Sequence, residues 1–238
     1  MVERNRKRSL AVYEAPPVPE GWHGHDVVRI IDPLGVQAAW VAPRLAGGLI
    51  AWFVRGTPGD AWNQVLGGTG DLLGGELLTS DPASQQLIAA SDDAAGWGFI
   101  ERDPTAVTVR GQVGERRMTV SLRCDDGLHI DAHAGDGTGG AGFRIRLHPG
   151  ITTGARLTRA GNAIRFGPGS VASLDWHIEA GLRSVPVTAR GAPWNIDIVP
   201  DEYAGHDPPT FGLVLTTVSR NDWQQTREAH TTWHKTIR

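Results

Sequence analysis

From Asp26 onward, apolar and polar positions alternate with a period of two. That is the side-chain period of a β-strand, not the 3.6 of a helix. Val27-Val28-Arg29-Ile30-Ile31 predicts a strand, Asp32-Pro33-Leu34-Gly35 a turn, and Val36 to Val41 the returning strand. After a break at Pro43 to Gly48, a third strand is predicted over Leu49 to Val54. The middle of the chain reads most clearly. Thr105 to Arg110 predicts a strand, and Met118, Val120, Leu122 and Cys124 alternate with polar residues. Leu128, Ile130, Ala132 and Ala134 form one apolar row, and Phe143, Ile145 and Leu147 another. Further strands are predicted over 163–166, 173–179, 184–189, 194–199 and 211–218. Residues 56–96 are less regular, and Pro82 to Ala90 is a candidate short helix that Ser80 or Asp81 would cap. Pro16, Pro17 and Pro19 exclude regular structure from the first residues. The expectation is an N-terminal tail over 1–25 and one domain over 26–238, an all-β antiparallel two-sheet sandwich.

The same alternation names the residues that face away from the apolar rows. In 128–134 these are His129, Asp131 and His133, and in 143–148 they are Arg144, Arg146 and His148. A glycine-rich run of eight, Gly135 to Gly142, separates the two segments and predicts a hairpin. If Ala134 pairs with Phe143, then His129 faces His148, Asp131 faces Arg146 and His133 faces Arg144, at roughly 5 Å between Cβ atoms. Such a patch is either a solvated outer face or the floor of a polar cleft, where histidine is the side chain poised for proton transfer near neutral pH. Asp175, His177 and Glu179 form a second polar row. Trp194 to Tyr203 carries Asp197 and runs into a loop with Asp201, Glu202, His206 and Asp207. Acids there suit general-base work and are also ordinary turn formers.

Composition narrows the classes. The chain has 238 residues, enough for one large β-domain, and a net charge of −3. A nucleic-acid binder would carry a basic face, whereas the basic run here, Arg4 to Arg8, reads as a solvated tail. No stretch approaches the roughly 20 apolar residues of a membrane helix. The short apolar run after Arg8 makes no secretion signal, so a cytoplasmic protein is expected. The single cysteine excludes an internal disulfide, and its place in an apolar row predicts a buried thiol. His129 and His133 would be roughly 13 Å apart on a strand and could not share an ion. His230 and His234 lack the glutamate of the zinc-protease motif. Neither a metal nor a cofactor is therefore expected. Nine tryptophans stand among Asp, Asn, Arg and His, and four of them (Trp40, Trp52, Trp97, Trp176) fall in strand-like segments while Trp62 and Trp194 border loops. A groove of that make-up suits a sugar, whose C–H faces pack on rings while its hydroxyls meet polar groups.

Several segments resemble the galactose mutarotase-like β-supersandwich group, which includes the aldose 1-epimerases. They are Val36 to Ile50 with its Gly47-Gly48 step, Trp97-Gly98-Phe99-Ile100-Glu101-Arg102, Phe143 to Pro149 ending in His-Pro, and Asp197 to Asp207. The resemblance spans 26–220. It implies a supersandwich fold, His148 as the acid toward a sugar ring oxygen, and Asp197 or Glu202 as the base at the anomeric carbon. His129, Asp131, Arg146, His177, Trp194 and His206 would line the substrate. Val199, not glutamate, precedes Pro200, where the resemblance implies the base. The expected function is thus epimerase-like acid–base chemistry on a sugar in a polar cleft, with a lyase using Tyr203 beside Arg146 as a variant. The alternatives are a non-catalytic carbohydrate-binding module and a structural sandwich. The expected partner is a small-molecule or oligosaccharide ligand, with no nucleic acid and no membrane. Self-association is left open.

Overall fold

The computed structural model describes residues 14–67, 70–80, 87–90, 96–113, 116–134, 141–148, 156–159, 162–165, 172–178, 187–190, 194–200 and 210–219. In chain order these form β1 (Val28–Ile31), β2 (Gln37–Ala42), β3 (Gly48–Val54), β4 (Asn63–Leu66), β5 (Gly75–Ser80), β6 (Leu87–Ala89), β7 (Gly98–Arg102), β8 (Ala106–Val113) and β9 (Arg116–Cys124). They continue as β10 (Leu128–Ala134), β11 (Ala141–Leu147), β12 (Arg156–Arg159), β13 (Asn162–Arg165), β14 (Ala172–Ile178), β15 (Val187–Arg190), β16 (Trp194–Pro200) and β17 (Thr210–Ser219). Among the described residues there is no α-helix. The helix expected over Pro82 to Ala90 is replaced, at Leu87–Ala89, by β6, which pairs with β5. Residues 81–86 lie outside the described residues.

The strands make two antiparallel sheets. The smaller has eight strands in the order β1-β2-β3-β4-β11-β5-β6, with β14 on β11; the larger has nine, ordered β13-β12-β15-β16-β17-β10-β9-β8-β7. The predicted apolar rows are where alternation puts them, at every position except Ala134, whose side chain lies outside the described ones. Met118, Val120, Leu122 and Cys124 of β9 and Leu128, Ile130 and Ala132 of β10 join one buried cluster with Phe143, Ile145 and Leu147 of β11. Cys124 is a buried free thiol, as the alternation implies.

The predicted hairpin is corrected by this arrangement. β10 pairs with β9 and β17, whereas β11 pairs with β14, β4 and β5. The two strands belong to different sheets, and the segment between them carries the chain from one sheet to the other. The rows 128–132 and 143–147 enter the same buried core, but from opposite sheets and not edge to edge. Stacked sheets lie about 10 Å apart, so one period-two pattern served two geometries, and burial of both rows chose the sandwich.

The eight-stranded sheet has an unusual middle. β3 is buried along its whole length. Leu49, Trp52 and Val54 face the main core, while Ile50, Ala51 and Phe53 face a second apolar cluster. Two successive residues share a side because Ile50 is bulged: Trp40 pairs with Ala51 and Val41 with Leu49. The space between β3 and β11 is filled by β4 at one end and by β5 at the other. Where they meet, Gly74 N donates to Ile50 O at 3.0 Å, and a Cβ on Gly74 would lie 2.8 Å from that oxygen and from Gly67. No larger residue fits there without displacing backbone.

Residues 14–27 form no strand, in keeping with their prolines, yet they are packed. Trp22 is buried with Ala42, Ile50, Ala51, Phe53 and Leu73, and Val18, Val27, Trp40 and Trp62 pack on the same cluster. Trp40 Nε1 donates to Pro16 O at 3.3 Å and Trp62 Nε1 to Glu14 O at 3.1 Å. This strap covers the outer face of the eight-stranded sheet over β2 and β3.

The packing gives a direct stability contrast. Phe143→Ala removes a fully buried ring that lies over Gly75, and urea unfolding should show a loss of about 3–5 kcal/mol. Leu34→Ala, at a side chain 68% exposed, should stay within about 0.5 kcal/mol of the parent.

Candidate functional site

With their apolar neighbours in the core, Arg144, Arg146 and His148 stand on the outer face of the eight-stranded sheet, all half-buried. Their focus is Glu76 of β5, which the sequence reading missed. Glu76 is the rung partner of Arg144 and is buried at 6% exposure. Its Oε1 accepts from Arg144 Nη1 at 2.9 Å and from Arg146 Nη2 at 2.5 Å. Arg146 Nη1 donates to Leu73 O at 2.8 Å. One buried carboxylate therefore holds two guanidiniums, and a main-chain carbonyl of the second apolar cluster fixes the orientation of one of them. Burying a charge is costly without a partner, and the two arginines supply it for Glu76. On the far side of Arg144, the rung partner is Asp175 of β14, and Arg146 is level with Ser173.

His148 follows β11 directly. Its backbone N donates to Val65 O at 2.9 Å, which ties it to β4. Burial lowers the imidazole pKa from its ordinary value of 6.5, because the charged form loses hydration. The ring is thus neutral near pH 7 and able to accept a proton; it acts as an acid only after it has been protonated. Chemically, this face offers rigid guanidinium donors with a neutral imidazole two residues along.

The other expected site residues do not gather here. His129 and Asp131 lie on β10 in the nine-stranded sheet, so the expected opposition of His129 to His148 and of Asp131 to Arg146 does not occur. The two polar rows lie on opposite exteriors of the sandwich. Asp197 is in β16, level with Thr188 and Thr216 in that same larger sheet; β16 does not border β11. Trp194 is level with Ser219, and His177, on β14, with Gly142. Glu202 and His206 lie outside the described residues, as do Tyr203 and the pair His230 and His234. Of the tryptophans, Trp52 and Trp97 are core, while Trp40 and Trp62 are half-buried under the strap. One face of Trp62 is covered by the Arg55 guanidinium, 4.0 Å from the ring centroid.

His129 has local partners. Its Nε2 lies 2.9 Å from Asp125 Oδ1 and 2.8 Å from Asp126 Oδ1, in the tight turn between β9 and β10. The hydrogen bond from His129 holds the Asp126 carboxyl below its usual range. The three groups could hold a cation, but Arg123 already pairs with Asp125. The turn sequence Asp125-Asp126-Gly127 ahead of His129 was the signal for this cluster. Cys124, next to that turn, is no nucleophile: burial drives its thiol pKa far upward.

Fold and patch together define a class: an antiparallel two-sheet β-sandwich with a half-buried histidine–arginine–glutamate cluster on the outer face of its smaller sheet. Among solved structures, the Slr1438 protein from Synechocystis sp. PCC 6803 is similar, with a TM-score of 0.51 at 10% identity over 86% of this chain and 88% of that one. A candidate mutarotase (YeaD) from Salmonella typhimurium is similar with a TM-score of 0.46 at 15% identity, over 82% of this chain and 84% of that one. At such identities the likeness to the Synechocystis protein shows the fold alone. No family model matches the chain, and no curated protein matches it. No helix among the described residues is long and apolar enough to cross a membrane.

Two measurements check the cluster. Glu76→Gln leaves two partly buried guanidiniums without their carboxylate and should cost about 3 kcal/mol in urea unfolding; a loss under about 0.5 kcal/mol would show that the pairs are not formed. The His148 ring should titrate by NMR with a midpoint below 6.5. A depressed folded-state pKa means that the unfolded chain takes the proton first. Stability is therefore whole above pH 6.5 and falls as pH drops through the folded-state pKa. His148→Gln should flatten that part of the pH–stability curve.

Proposed function

We propose that the protein is carbohydrate-active, binding a sugar on the outer face of the eight-stranded sheet at Arg146 and His148, with epimerase-like proton transfer through His148. The observation that carries this reading is the placement of a half-buried, readily neutral His148 beside Arg146, whose guanidinium is held by Glu76 and by Leu73 O. Guanidinium donors held in place suit sugar hydroxyls, because little rotamer entropy is lost on binding. Leu73, whose carbonyl accepts from Arg146, belongs to the apolar cluster under the strap, which anchors the patch at that side. The resemblance of the segment ending in His148-Pro149 to the aldose 1-epimerase group supports the choice of chemistry.

Anomer interconversion needs an acid that protonates the ring oxygen as its bond to the anomeric carbon breaks, here the protonated form of His148, and a base that takes the proton of the anomeric hydroxyl. Asp197 belongs to the other sheet, so Glu202, in the segment following β16, is the carboxylate to test as the base. The separation of β11 from β16 favours, as a second reading, a carbohydrate-binding module without catalysis.

Exchange NMR on a panel of aldoses, with saturation-transfer difference spectra for binding, discriminates the readings. Catalysis predicts accelerated anomer interconversion that His148→Ala lowers by about 100-fold or more while sugar binding persists. Binding without acceleration in the wild type would establish the second reading. Absence of binding by any sugar would end both.

A further inference from the structure

We propose that a recess at the β7 edge of the nine-stranded sheet is a separate binding site, for a small organic anion with an apolar body. The recess is shallow and open to solvent over most of its boundary, with a volume of about 400 Å³. It lies on the other sheet from the His148 cluster and does not depend on the reading given to that cluster.

Three features build it. The first is space over the edge strand. β7 is exposed along its length, and Gly98 is level with Arg110 of β8. A Cβ added to Gly98 would meet nothing within 4 Å, and the same holds at Gly96. Gly111 also lines the recess, and behind it the Trp97 ring packs so tightly that a Cβ on Gly111 would come within 2.2 Å of it. The second feature is charge. Arg110 and Arg117, both exposed, stand on adjacent strands at diagonal positions, because Arg110 is level with Thr119 and Arg117 with Gln112. Diagonal neighbours are roughly 7–8 Å apart, so both guanidiniums reach one anion. Arg110 Nε donates weakly to Thr119 Oγ1 at 3.4 Å. Among the described residues no carboxylate pairs with either arginine, and Glu101, level with Thr108, forms no ion pair with them. The third feature is an apolar wall. Phe99 and Ile100 are 44% and 49% exposed, and pairing skips Ile100, which is bulged. Two guanidinium forks match a phosphate or carboxylate. A bare inorganic ion would leave the apolar wall unused, and a neutral ligand would leave the charges unused.

The test uses the full chain and two-dimensional amide NMR titrations with phenyl phosphate, benzoate, inorganic phosphate and phenol. The expected result is saturable binding of phenyl phosphate or benzoate, with shifts at Gly96, Gly98 and Gly111. Whichever anion binds more tightly identifies the head group. Arg110→Gln and Arg117→Gln should each weaken binding about tenfold. Gly98→Val should abolish it by filling the recess, with the circular dichroism spectrum unchanged, since Gly98 is in a strand and outside the positive-φ region. His148→Ala should leave it unaltered. The proposal is overturned if neither organic anion shifts these amides. It is equally overturned if inorganic phosphate binds as tightly as phenyl phosphate, or phenol as tightly as the anions.

Discussion

Burial of apolar rows from two sheets in one shared core governs the rest of this molecule. Leu128, Ile130 and Ala132 on one sheet and Phe143, Ile145 and Leu147 on the other are at most 1% exposed. Full burial of a large aliphatic or aromatic side chain contributes about 1.5–3 kcal/mol, whereas an exposed ion pair contributes about 0–1 kcal/mol. No arrangement of the interleaved His, Asp and Arg could compete with that. Once both apolar rows face that core, the polar rows must face apart, one on each exterior. A site in this protein is therefore assembled within one sheet or at an edge, not across the sandwich.

The two exteriors differ, and the difference comes from what covers them. On the eight-stranded sheet, the bulge at Ile50 turns two successive side chains outward and creates an apolar patch that bare sheet could not leave in water. The 14–27 strap covers that patch with Trp22. Beside that patch, on β5 and β11, buried Glu76 holds Arg144 and Arg146. On the nine-stranded sheet the outer face of β8 to β10 is polar, with Thr108 and Ser121 hydrogen-bonded at 3.0 Å. Its β7 edge is left open, with Phe99 and Ile100 exposed beside arginines. Edges of this kind are ordinarily protected by charge and bulges; Ile100 and Arg102 supply both here.

Glu76 and His129 show opposite limits of legibility. Glu76 meets its arginines from 68 and 70 residues away, and nothing near Glu76 in the chain announces that contact. His129 meets Asp125 and Asp126 within one turn, so its partners were present in the local sequence. The strands that escaped prediction, β4 to β7 and β12, are short or enclosed on both faces or exposed along an edge. Where burial shows it, the contrast that alternation needs is missing: β4 is half-buried at Asn63 and Gln64 and buried at both Val65 and Leu66, while β7 is exposed throughout.

The amino-acid sequence by itself determined the period of the strands, the apolar residue sets, the buried place of Cys124 and the outward place of His129, Arg146 and His148. These follow from whether each residue prefers water, a property it carries alone. Tertiary structure decided which strands became neighbours, that β10 and β11 would join different sheets and not pair, and that Glu76 would anchor the arginines. Those outcomes depend on which apolar faces can close on one another over long stretches of chain. Period-two alternation states the face of every residue and leaves the identity of the strand beside it undetermined.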